Sequence, residues 1–395
     1  MFDKRIIKVS SDCSSFIDID GLLNIENKSF SFVLSIEEYI TLFKSDPIKG
    51  LEPTNLYFLD ENSIKYTCFN CIIGFNMFSN IHITCSSIDL ILENIFSSVE
   101  NILVDEIVFQ TSFPKSNSLI CYIENINFDY SDSISIDIKK DISKEYNRLI
   151  ISASSKTKIN YKDLDNYAFY TLELLFLLFG CMPKLENFSA RIDSNTIGIH
   201  FNLVDKYQQN LKNGSTTACL IDITKDIFTK ELLEKFIQFR NDTLILYDIF
   251  MINVNSYNYV EIKNSMYVQL LEGTYRTIIS SSDCELWEIL KYYFKDSPVT
   301  NMLLNSYDLQ DSNNQYHTAI FLHKSLNHRN YLSHLNVTEQ KNIFYQLENN
   351  YAQMKFIICL RLTFMNYLGL SPDNDKINRL LNSITKWYED HNLKF

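Results

Sequence analysis

Hydrophobic and polar positions follow two different rhythms along this chain. In the first half, short runs rich in Ile, Phe, Tyr and Val occupy residues 22–25, 30–35, 63–73, 81–84, 106–109, 119–123 and 134–138. Polar, turn-prone pieces such as 26–28, 60–62 and 114–117 separate them, which predicts strands. Ile134, Ile136 and Ile138 alternate with Ser135, Asp137 and Lys139, the period of a strand with one wet face. From Asp163 the period lengthens: Leu164, Tyr167, Ala168, Thr171, Leu172, Leu175 and Phe179 sit at helical spacing, and Gly180 and Pro183 end the run. Strand-like pieces return at 196–203 and 218–223, followed by a helix over 230–240.

The second half is helical in rhythm. Residues 265–279, 284–294, 316–326, 338–368 and 373–388 carry apolar side chains three and four apart. Asp283 and the Ser371-Pro372 pair stand where helix starts are capped. The change of regime near residues 253–259 predicts an α+β protein of two domains, a β-rich unit over 1–252 and a helical bundle over 253–395. A length of 395 residues suits that division.

Composition narrows the chemistry. Hydrophobic residues make up 46% and charged residues 21%, enough for a sizeable core. The eight glycines are never closer than sixteen positions, so no dinucleotide fingerprint, phosphate-cradling P-loop or hydrolase nucleophile elbow can form. Nine scattered cysteines, an odd number, and an N-terminus without a basic-then-apolar leader predict a reducing, cytoplasmic location. The longest apolar run, 174–179, is too short to span a bilayer, so no membrane partner is expected.

The net charge of −12 argues against a general nucleic-acid coat, but the charge is uneven. Residues 251–395 hold 13 basic and 14 acidic groups, leaving nearly all the excess acid in the first 250. Residues 312–338 contain no Asp or Glu, yet hold Lys324, Arg329 and four of the seven histidines. A polyanion is therefore expected to meet the protein there.

Inside that window lies Arg329-Asn330-Tyr331-Leu332-Ser333-His334. On a helix, Asn330 and His334 are i,i+4 neighbours, with Arg329 one position earlier. These are the groups that phosphodiester cleavage of RNA requires. An imidazole near neutrality moves the proton of a 2′-hydroxyl or a leaving oxygen. A guanidinium holds the phosphate and offsets developing charge, while a neutral amide orients the phosphate or the ribose. The bland alternative is a packed or capping histidine on a helix beside Tyr331 and Leu335.

A second group of residues is Cys68-Phe69-Asn70-Cys71 followed by His82-Ile83-Thr84-Cys85. Cys68, Cys71, His82 and Cys85 have spacing compatible with one structural Zn²⁺. Strand geometry opposes it, because residues three apart face opposite ways unless a turn intervenes. Buried thiols are the other reading. Asp18-Ile19-Asp20-Gly21 lacks the rest of a calcium loop, and no H-E-x-x-H occurs.

The string Arg329-Asn330-Tyr331-Leu332-Ser333-His334 resembles the R-N-x-x-x-H signature of the HEPN superfamily, small helical domains that include RNA-cleaving toxins and defence nucleases. Residues 270–276 resemble the first helix of its ApeA-like branch, and residues 354–369 its long fourth-helix region. Weaker likenesses in the first half are Gly21-Leu22-Leu23, Tyr66-Thr67-Cys68-Phe69-Asn70-Cys71 and the helix over 172–183. The resemblance implies a metal-independent endoribonuclease with no catalytic cofactor, acting on RNA such as tRNA in anti-phage abortive infection. It implies a homodimer with a composite cleft and, for the β-rich domain, a sensor or restraint answering a phage-derived trigger. His334 would then be the general acid/base, Arg329 the phosphate clamp and Asn330 the orienter. Glu272 would pair with the arginine or shape the cleft. Tyr331 would stack on a base or pack the helix, and Lys324, His323 and His328 would attract RNA. Two rivals stand beside this reading: a helical module that binds RNA or a partner without cutting, and a sensor whose motif merely packs.

Overall fold

The computed structural model describes residues 3–12, 14–25, 28–43, 54–77, 81–88, 90–95, 102–113, 123–142, 147–180, 184–201, 219–255, 260–304, 320–334, 343–345 and 347–391. The fold is α+β, with a β-rich first part and a helical second part. The strands are β1 (Asp3–Ser10), β2 (Ile17–Asn24), β3 (Ser29–Leu34), β4 (Thr54–Asp60), β5 (Lys65–Met77), β6 (Ile81–Ser87), β7 (Leu90–Glu93), β8 (Leu103–Phe113), β9 (Ile126–Asp129), β10 (Ile134–Ile142), β11 (Asn147–Asn160), β12 (Lys184–Ile192) and β13 (Asn195–Phe201). The helices are α1 (Ile36–Phe43), α2 (Tyr161–Phe179), α3 (Lys230–Asp242), α4 (Leu244–Asn255), α5 (Val260–Thr274), α6 (Leu286–Lys291), α7 (Ile320–His334), α8 (Leu347–Tyr367) and α9 (Asn374–Asp390).

The strands form one antiparallel sheet in the order β4-β1-β2-β3-β6-β5-β7-β13-β12-β8-β11-β10-β9. An additional β4–β5 pairing closes the first six into a barrel, which removes their free edges. The other strands extend from β5 as an open sheet, through pairing of residues 66–69 with 90–93. Two separate apolar cores follow. One fills the barrel with Phe30, Phe32, Phe58, Tyr66, Ile83 and their neighbours. The other runs without a break from the open sheet through α2 into the C-terminal helices.

Helix α2 holds that second core together. It packs against β8 and β11 on one side and α3 and α8 on the other, so residues 171–180 are buried all round. Gly180 ends it at φ 73°. The fully buried Arg361 of α8 donates from Nε to the Leu177 carbonyl at 3.0 Å and from Nη2 to the Leu178 carbonyl at 2.7 Å. A guanidinium thus satisfies the orphan carbonyls of a helix C-terminus and complements its dipole. A side chain at position 180 would strike Arg361 Nη1, so glycine is required twice over.

Most expected strands and helices stand where the patterns put them, with informative differences. The helix expected over 316–326, described from residue 320, runs on to His334, and the one expected over 338–368 begins at Leu347, with 338–342 and 346 outside the described residues. The piece at 218–223 is not a strand: its described part keeps one parallel bridge, Ile123 to Ile223. The Leu220 carbonyl instead accepts from the Asp373 amide at the start of α9. Of the strand expected at 119–123, residues 119–122 lie outside the described residues. The helices expected over 265–279 and 284–294 each finish as a π-helical turn, at Tyr275–Ile279 and Tyr292–Asp296. Among the described residues, no helix is long and apolar enough to cross a membrane.

Candidate functional site on helices α5 and α7

Arg329 to His334 are the last residues of α7, so the helical frame assumed from the sequence holds. His323, Asn327, Asn330 and His334 follow one another at spacings of four, three and four, which places all four positions on one face of the helix. At one end of this row, exposed His323 stacks on Trp287 of α6, with ring centroids 4.8 Å apart. His334 closes the helix at the other end; its side chain lies outside the described residues.

Arg329 is held from two directions. Its Nη1 donates to Asn330 Oδ1 at 3.2 Å, and its Nη2 stands 3.7 Å from Glu272 Oε2 on α5. Glu272 in turn accepts from Arg276, one turn further on, through Oε1 at 3.2 Å. Arg276 is the second residue of the π-helical turn and also reaches Asp283 Oδ1 at 3.3 Å and the Cys284 carbonyl at 2.8 Å. Gln269 Nε2 donates to Ser333 Oγ at 3.2 Å. The side chains of Arg329 and Glu272 are each 24% exposed and that of Arg276 36%. Two guanidiniums, the carboxylates of Glu272 and Asp283 and the amide of Asn330 therefore converge at a surface that solvent reaches.

The structure joins Arg329, Asn330 and Glu272 as the sequence reading anticipated and adds Gln269, Arg276 and Ser333. The E-x3-R spacing of Glu272 and Arg276 is the only trace of the second arginine in the sequence. Tyr331 is half-buried.

Two of the residues expected to attract RNA are engaged elsewhere. His328 is 1% exposed, packed against Phe344, and its Nε2 lies 2.8 Å from the Glu261 carbonyl. A carbonyl only accepts, so Nε2 carries the proton; burial holds the pKa of the imidazole below its usual value. It is a neutral packing residue and not an RNA-attracting cation. Lys324 has a side chain 14% exposed and contacts both oxygens of Glu348 at 2.9 Å. The acid-free window is thus neutralised across space by Glu272 and Glu348, from helices on either side of it in sequence.

The cysteine cluster is a second correction. Asn70 adopts φ 52°, which slips the β5 alternation and turns both Cys68 and Cys71 into the barrel, where Cys85 joins them. A bulge within β5, where Cys68 and Cys71 pair with Leu56 and Thr54, thus does what the turn would otherwise have to do. His82, however, is exposed on the outer face of β6, three positions from Cys85 and so on the opposite face of the strand. The four ligands are not brought together. Among the described residues, no group of three or more His, Cys, Asp or Glu is placed to hold a metal. Hydrogen bonding with Cys68, reinforced by burial, pushes the Cys71 thiol far above its ordinary pKa.

Comparison with known proteins gives no match to a family model, to a curated protein or to a solved structure.

Proposed function

We propose that the chain is a metal-independent endoribonuclease whose active groups are Arg329, Asn330 and His334, acting on looped or single-stranded RNA such as tRNA, in anti-phage abortive infection. The observation that supports this most is the convergence of Arg329 and Asn330 at a solvent-reached surface on the helix that ends in His334. A catalytic guanidinium must be presented to solvent yet fixed in direction, and Glu272 and Asn330 do both.

In this mechanism His334 accepts the proton of a ribose 2′-hydroxyl, and the oxygen attacks the adjacent phosphorus. The bond from phosphorus to the 5′-oxygen breaks, and that oxygen takes up a proton as it leaves. The products are a 2′,3′-cyclic phosphate and a 5′-hydroxyl, so the step needs no other reactant. Arg329 pairs with the non-bridging oxygens as charge builds on them, and Asn330 fixes the direction of the guanidinium through its Oδ1. Two copies of the chain would share one cleft, each presenting one α7. Unstacked bases suit such a surface, since duplex opening is then not required.

Incubation of purified protein with total tRNA, alongside His334→Ala and in EDTA, tests the reading. Loss of cleavage in the variant with retention in EDTA supports it. Equal cleavage by both proteins assigns the activity to another site or a contaminant.

A further inference from the structure

The carboxylate of Glu272 sits where an external anion would bind. It lies between two guanidiniums, 3.2 Å from Arg276 and 3.7 Å from Arg329, and its own side chain is only a quarter exposed. A carboxylate offers two oxygens to a guanidinium fork, and so does a phosphate group through its non-bridging oxygens. The two differ in tether. Glu272 is fixed to α5, and its contact with Arg329 is at the long end of ion-pair distance, so the pair is engaged but not closed.

We propose that Arg276 and Arg329 form a phosphate-binding site that the chain's own Glu272 occupies as a displaceable internal anion. An incoming phosphate group exchanges with the carboxylate, which swings to solvent. Arg276 passes from holding Glu272 to holding the ligand, while Asp283 and the Cys284 carbonyl keep its guanidinium in place. Lodging of Arg276 in a π-helical turn fits such a role, because these turns shift side chains out of the ordinary helical positions and recur at functional sites. The inference rests on the ribonuclease reading for its biological meaning: Glu272 becomes a gate on RNA entry, and Arg276 a second binding residue beside Arg329. The anion site itself stands on the geometry alone.

The test separates the two. Wild type, Glu272→Gln, Arg276→Gln and the double variant are titrated with inorganic phosphate, and separately with a non-cleavable dinucleotide phosphodiester. Binding is followed by isothermal calorimetry, with helical content checked by circular dichroism. Glu272→Gln keeps the side-chain shape and removes the resident charge, so its phosphate affinity is expected to rise by at least about tenfold over wild type, the scale of one close like charge removed. Adding Arg276→Gln is expected to cancel most of that gain. An unchanged affinity in Glu272→Gln overturns the proposal, and so does an equal gain in the double variant. Should Glu272→Gln lose its helical signal, the comparison of Arg276→Gln with wild type decides: undiminished phosphate binding overturns the site, and weakened binding upholds it. None of these readouts depends on cleavage. A protein that binds phosphate in this pattern but leaves tRNA intact retains the site and loses the ribonuclease reading, and the reverse result does the opposite.

Discussion

Cys68, Cys71, His82 and Cys85 of the barrel and Arg329, Asn330 and His334 of α7 are both spaced in sequence as a chemical site would be, and the fold treats them oppositely. In the barrel, a period of two puts His82 outside while Ile81, Ile83 and Cys85 face inward, so the ligand set is divided by a wall of sheet. On α7, the helical period gathers His323, Asn327, Asn330 and His334 on one face, and the neighbouring helix brings Glu272 and Arg276 to Arg329. The residues of a motif therefore meet only where the geometry of their element, its period and its irregularities together, turns them to one face.

The contrast can be broken most forcefully at Arg329. Arg329→Ala is expected to lower tRNA cleavage by about 10²-fold or more, the scale of losing one preorganised charge partner of the transition state. Cys71→Ser should leave the rate near wild type. Gel assays of both variants check this, and equal losses would erase the distinction between the regions.

Next in size is His328. His328→Ala removes a buried ring hydrogen-bonded to the Glu261 carbonyl and should cost roughly 1–3 kcal/mol in denaturant unfolding. Neither this variant nor Lys324→Ala should change the salt dependence of RNA binding, whereas loss of a true phosphate contact lowers the log–log slope by about one. Within the barrel, Cys71→Ser puts a hydroxyl among apolar side chains and should cost roughly 1–2 kcal/mol. A chelator should leave the melting temperature of the native protein unchanged.

The smallest effects are in pH. Because the pKa of folded His328 is held below its unfolded value, its contribution is complete above about pH 6.5 and is lost as pH falls below that. Asp165 in α2 works in the other direction. Its Oδ1 is sealed from solvent without a hydrogen-bond partner, and desolvation pushes the carboxyl up to about 7. Ionising it costs folding energy, so wild-type stability should fall, relative to Asp165→Asn, as pH rises from the ordinary carboxylate range through 7. Unfolding curves of both proteins from pH 4 to 8 measure it.

Much of this was legible in the sequence because it depends on local period. The strand at Ile134, Ile136 and Ile138 and the helix ended by Gly180 declare themselves through neighbours a few positions apart. Helix α4 does not. Tyr247, Phe250 and Met251 are buried, yet Ile245 is 70% and Ile252 50% exposed, so apolar residues surround it and no polar stripe marks its outer face. The Arg329–Glu272 pair was anticipated from family likeness. The neutralising of Lys324 by Glu348 was not, since an acid-free window in sequence says nothing about acids delivered by another helix. Asn70 hid its effect for a similar reason: a left-handed residue inside a strand is a property of the backbone, and an asparagine can adopt it or not.

The Arg361 plug in the end of α2 also bears on how the chain is made. The barrel draws its core from residues 6–91, so a ribosome can release a closable unit long before the rest emerges. The open sheet has no such independence. The carbonyls of Leu177 and Leu178 wait for a guanidinium synthesised more than 180 residues later, which at about 5–20 residues per second is a delay on the order of ten seconds or more. During that interval α3 can already reach α2, but the face of α2 that packs on α8 stays uncovered.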